Sequence, residues 1–132
     1  TGDTTFWNTD AQNARLGTTE DIIGIKIASY GHVRAELNVL NTADPEKDFS
    51  KYDHVVEGSV KLNSGIMEVL NFPDTKIILK AIVTPARYRV RIYSYAVKNV
   101  NPEEDEGTDH YKITLWPGEG RERKVLKVYR AD

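Results

Sequence analysis

Between residues 84 and 97 the chain reads TPARYRVRIYSYAV. Tyr88, Val90 and Ile92 alternate there with Arg87, Arg89 and Arg91. A period of two sends the apolar side chains to one face of an extended strand and the arginines to the other. A helix would scatter both sets around its axis. The stretch therefore predicts a central strand of an all-β domain, with a core on one side.

Similar patterns recur along the chain. Residues 21–28 place Ile23, Ile25 and Ile27 on one face, and residues 33–39 alternate Val33, Ala35, Leu37 and Val39 with polar neighbours. The turn signal Tyr30-Gly31 between them predicts a hairpin. Residues 53–62 and 66–72, separated by Asn63-Ser64-Gly65, predict a second hairpin. Further strands are expected over 76–83, 110–116 and 123–130, the last with Leu126 and Val128 facing inward. Residues 41–53 have no strand pattern, and Phe49 and Tyr52 are expected to fold back onto the core. Residues 1–20 read as an N-terminal arm or short helix pinned by Phe6 and Trp7.

That makes about eight strands with no helical pattern between them. The expected fold is an antiparallel β-sandwich, with a closed β-barrel as the alternative. One domain is expected over residues 21–132, after the arm.

At 132 residues the chain is long enough to bury a core without staples. A formal net charge of −2 gives no general attraction for nucleic acid or acidic lipid. The absence of cysteine rules out disulfides, thiolate catalysis and cysteine-based zinc sites. No apolar run is long enough to predict a membrane span. The start, TGDTTFW, lacks a basic leader with an apolar stretch, and a cytoplasmic location is the expectation. There is no G-x-S-x-G elbow, Walker loop, G-x-G-x-x-G or H-E-x-x-H. No catalytic residue and no cofactor are therefore assigned, and the reading leans to a binder over an enzyme, with a small hydrolase or isomerase of unrecognised site as a further alternative. Monomer and homodimer both remain open, the latter through free strand edges.

Four groups of residues are candidates for function. Arg87, Arg89 and Arg91, about 7 Å apart along one face, form an anion-binding candidate together with Lys112. Lys76 and Lys80 are expected to join them from neighbouring strands. The plainer alternative is a solvated sheet face paired with glutamates. Glu103, Glu104, Asp105, Glu106 and Asp109, with Glu119 in the next turn, form a partner-binding candidate. They lack the ligand order of a calcium loop. His32, His54 and His110 are read as hydrogen-bonded rather than as metal ligands. Tyr93, Tyr95 and Trp116 suit either sugar stacking or core packing, and Tyr88 is a candidate for a corner-locking hydroxyl.

Three segments in order, YDHVVEGSVKLNSG (residues 52–65), PARYRVRIY (85–93) and DHYKITLWPG (109–118), carry a family resemblance. They resemble a widespread family of small bacterial proteins with a Tyr-Arg-Val-Arg strand, an acidic loop and an aspartate–histidine–tyrosine strand ending in Leu-Trp-Pro. The corner before the first strand is Pro85-Ala86 here, where that family has glycine. In outline the pattern is similar to the inhibitor of the competence DNA-entry nuclease and to immunity proteins encoded beside toxins. The resemblance implies an all-β fold, a bacterial source and an inhibitor or immunity role masking a toxin or nuclease, with no catalytic residues. The alternative function is a ligand-binding sandwich for carbohydrate or anion.

Overall fold

The computed structural model describes residues 9–19, 21–26, 32–72, 76–95 and 106–128. Among these, the period-two patterning becomes nine strands. They are β1 (Leu16–Thr19), β2 (Ile22–Lys26), β3 (His32–Val39), β4 (His54–Leu62) and β5 (Ile66–Phe72), then β6 (Lys76–Ile82), β7 (Ala86–Tyr95), β8 (Glu106–Pro117) and β9 (Lys124–Lys127). A six-residue helix, α1 (Thr9–Ala14), precedes them. The strands form two open sheets, ordered β1-β2-β5-β6 and β3-β8-β7-β4-β9, and do not close into a barrel.

β7 is the middle strand of the five-stranded sheet, between β4 and β8. Its alternation explains the position. Val90 and Ile92 are buried with Val56, Ile113 and Leu115 from the flanking strands. Leu16, Ile23, Ile25, Met67 and Val69 of the other sheet belong to the same cluster. The two sheets thus share one apolar core, in which each large aliphatic side chain contributes roughly 1.5–3 kcal/mol of burial. The Tyr88 hydroxyl donates to the Thr84 carbonyl over 2.7 Å, locking the corner that leads into β7. Within the expected arm, β1 pairs with β2 and Leu16 is buried.

Neither expected hairpin forms. β2 and β3 lie in different sheets, as do β4 and β5. At residues 63–65 the chain turns from one sheet to the other. Gly65 has φ 79°, and a Cβ there would stand 2.9 Å from the Val83 carbonyl oxygen. Leu62 and Met67, on either side of the turn, then enter the core from opposite sheets. A short turn between two alternating runs has the same local pattern in a hairpin and in a sheet-to-sheet crossing, so the pattern does not choose between them. The crossings make the β2–β5 and β3–β8 pairs parallel. Both sheets are therefore mixed, and the purely antiparallel expectation is corrected. So is the orientation of Leu126 and Val128, which are exposed because β9 is a short edge strand.

Candidate functional site

The outer face of the five-stranded sheet carries the arginine stripe, and residues 41–53 lie across part of it. This strap has no helix or strand, yet its backbone is held in series. The Glu46 amide donates to Asp44 Oδ1 at 3.0 Å, the Asp48 amide to Glu46 Oε1 at 3.1 Å, and the Ser50 amide to Asp48 Oδ1 at 3.0 Å. Phe49 and Tyr52 pack back against Tyr93, Val55 and Tyr95, as expected of the two aromatics in this polar stretch.

Under the strap the charges are matched. Glu57 of β4 lies opposite Arg91 of β7 in the ladder. Its carboxylate accepts from Arg89 Nη2 at 2.7 Å and from Arg91 Nε at 3.0 Å. Arg91 Nη1 also donates to the Glu46 carbonyl and to the Tyr93 hydroxyl. Tyr93 in turn donates to Asp44 Oδ2 at 2.6 Å, and Thr114 donates to the same oxygen at 3.0 Å. Burial raises the Asp44 pKa, but the hydrogen bonds from Tyr93, the Glu46 amide and Thr114, with the Arg91 charge, outweigh it and hold the carboxyl below its ordinary value. Burial and the bond to Asp44 push the Tyr93 phenol well above its usual range. Arg89 Nη1 donates to the carbonyls of Gly120 and Glu122, fixing the turn before β9.

The predicted site residues are thus dispersed. Arg89 and Arg91 are engaged with Glu57, and Arg87 donates to Ser59 Oγ at 3.1 Å. Lys112 sits with Nζ 5.2 Å from the centre of the Tyr93 ring. Lys76 and Lys80 do not join them, because β6 belongs to the other sheet. Glu103, Glu104 and Asp105 lie outside the described residues. Glu106 begins β8 opposite His32. Asp109 is 1% exposed and accepts the Tyr111 hydroxyl at 2.6 Å, so it is withdrawn from the surface where a partner would meet it. Glu119 is exposed.

Tyr93 and Trp116 are buried, which removes the open aromatic row that sugar stacking requires. Tyr95 is stacked on His110, with ring centres 3.9 Å apart. His54 is buried, its Nε2 2.7 Å from the Ala14 carbonyl. Among the described residues, no group of three or more histidine, aspartate or glutamate side chains is placed to hold a metal ion. No helix among them is long and apolar enough to cross a membrane.

Two concave features stand out among the described residues. A polar recess of about 320 Å³ is lined by Glu57, Arg89, Arg121, Glu122 and Lys124, with the backbone of Gly120. A larger groove of about 680 Å³ opens where the ends of β3 and β6 approach each other, beside Tyr88 and Pro117. No charged side chain lines it. Ile82 and Val39, 87% and 53% exposed, stand at its rim.

Sequence reading reached the arginine face and, as its plainer alternative, pairing with glutamates across strands, but it named neither Glu57 nor Asp44 as the counter-charges. The acidic residue within the alternating β4 was a usable signal for Glu57. Asp44 and the groove left no local signal, because each depends on segments far apart in the chain. Compared with known proteins, the chain matches no family model, no curated protein and no solved structure.

Proposed function

We propose that the protein is a non-enzymatic protein-binding domain, built as a nine-strand β-sandwich, that acts by masking a partner. One contrast carries this reading. The polar groups beneath the strap bond to one another, while the uncharged groove between two sheet edges lies open. A bacterial nuclease or toxin is the proposed partner class, which would make the protein an inhibitor or immunity protein. The acidic run Glu103, Glu104 and Asp105 before β8, together with Glu119, supports that class, since opposite charge speeds association with a basic partner.

The test uses the tagged protein as bait in a bacterial lysate and identifies what it retains. Capture of a nuclease or toxin whose activity falls on mixing supports the reading. Retention of no protein overturns it. Unchanged capture by the variant with Glu103, Glu104 and Asp105 all replaced by Ala removes the acidic run from the contact.

A second reading, anion binding, is favoured by the recess where Arg121 and Lys124 flank Arg89. A rise in melting temperature with inorganic phosphate that disappears in Arg121→Ala would support it.

A further inference from the structure

We infer that the groove between β3 and β6 receives an uncharged, extended segment of a partner protein, which adds to the free edge of β6 as a further strand. The inference rests on the protein-binding reading above and names the chemistry of the segment that this domain grips.

The first observation is backbone direction. The Val83 amide donates to the Gly65 carbonyl at 2.8 Å, so the backbone of Val83 faces β5. In an antiparallel ladder successive residues face opposite sides. The N–H and C=O groups of Ala81 therefore face β5 as well, and those of Lys80 and Ile82 point away from it. Among the described residues no strand pairs with that outer edge. The same holds across the groove. The Leu40 amide donates to Leu115 at 2.7 Å, which leaves the backbone of Val39 facing outward from β3.

The second observation is the length of edge on offer. The β5–β6 register shifts between Val69 and Leu70, and the partner on β6 jumps from Leu79 to Ile77. Such a bulge interrupts pairing on the open side too. The regular edge is thus residues 79–83, about 17 Å long, which suits a strand of about five residues.

The third is charge. In a chain that is 29% charged, the groove walls carry no charged side chain. An ionised segment would lose its hydration there without gaining a counter-ion. For the same reason a fatty acid is a poor fit, since nothing in the walls neutralises its carboxylate. The polar backbone edge is the feature that favours a peptide over a small apolar molecule, which has no use for a row of donors and acceptors. The apolar rim supplies the remaining contact. Ile82 is paired across the strands with Ile66, itself 42% exposed, so the groove continues onto an apolar ledge. The other edge strands are less inviting. β1 and β9 have four residues each and β3 displays both Arg34 and Glu36, whereas the 79–83 edge of β6 carries a single charge, the exposed Lys80 outside the groove walls.

The probe is a capped heptapeptide of alternating threonine and valine, titrated into the isotope-labelled full chain. Binding is expected to shift the amide signals of Lys80 and Ile82 and to slow their hydrogen exchange. Ile82→Pro removes one outward N–H while leaving the bond from Val83 to Gly65, and is expected to weaken binding about tenfold. Ile82→Lys places a charge where the side chain is already in solvent, keeps the fold, and is expected to weaken binding at least as much. Lys61→Ala, on an exposed position of β4, is expected to bind as the parent does.

Binding that both Ile82 variants leave unchanged overturns the inference. So does a groove that takes up octanol but not the peptide, which would mark a small-molecule site. A parent chain that is dimeric by light scattering and becomes monomeric in Ile82→Lys also overturns it, since a second copy would then be the occupant. Absence of peptide binding alongside intact capture of a nuclease or toxin defeats the groove assignment alone. Peptide binding by a bait that retains no protein defeats the masking role instead.

Discussion

The Tyr93 hydroxyl donates to Asp44 Oδ2 over 2.6 Å, joining the middle strand of the five-stranded sheet to a segment 49 residues earlier in the chain. This bond gives the strap a fixed seat. Tyr93→Phe leaves the ring packing of Phe49 and Tyr52 in place but takes one donor from a partly buried carboxylate. The expected cost is about 1–3 kcal/mol by denaturant unfolding. Hydrogen exchange within residues 41–53 is expected to speed up more than in β7. Equal acceleration in both would mean that the strap and the sheet open as one unit.

Glu57 serves two arginines at once, at 2.7 Å and 3.0 Å. Its replacement by Ala strands two guanidinium groups whose side chains are about nine-tenths buried. A loss of about 3–5 kcal/mol is expected, as for breaking a buried pair. Replacing Glu57, Arg89 and Arg91 together by Leu, Met and Met is expected to cost less than Glu57→Ala alone, because no buried guanidinium is then left without its carboxylate, while Asp44 loses the Arg91 charge but keeps the bonds from Tyr93 and Thr114. Urea unfolding of the two variants decides the point.

His54 supplies the pH dependence. Burial lowers its pKa, the bond to the Ala14 carbonyl works the other way, and the Arg15 charge adds to the lowering, so the ring is held below the ordinary value of 6.5. The unfolded chain then takes up this proton first as pH falls. Stability is unaffected by this group above pH ~6.5, declines as pH drops below that, and levels off once the folded ring is protonated. His54→Gln is expected to flatten that part of the stability curve. A slope unchanged from the parent between pH 7 and 5 would show that His54 is not its source.

Gly65→Ala tests the crossing between the sheets. The backbone sits at φ 79°, and the added methyl would meet the Val83 carbonyl oxygen at 2.9 Å. Destabilisation of about 1–3 kcal/mol is expected from the backbone conformation and the contact together. The melting temperature should fall accordingly. A neutral effect would show that the turn relaxes freely.

Much of the fold is legible locally, and what is not shares one cause. The alternation around Val90 and Ile92 placed the core face of β7 and the opposite arginine face. The fold-back of Phe49 and Tyr52 was visible because two aromatics interrupt an otherwise polar loop. The division of strands between sheets was not visible, since Leu62 and Met67 meet the same core whether their strands pair or oppose one another. β1 escaped notice because Leu-Gly-Thr-Thr has one large apolar side chain, too few for a period. The counter-charges of the arginines were half legible, with Glu57 in a strand and Asp44 in a segment without periodicity.

The parallel pairing of β3 with β8 sets an order of events during synthesis. Arg34 lies opposite His110 and Val39 opposite Leu115, so β3 leaves the ribosome long before its neighbour has been made. β2 likewise waits for β5. Early segments must therefore stay unsheltered until late ones arrive, and assembly in the millisecond-to-second range is expected for so non-local a wiring. Nascent chains halted before residue 106 should expose β3 without a bonding partner, which makes that stage the natural point for chaperone capture.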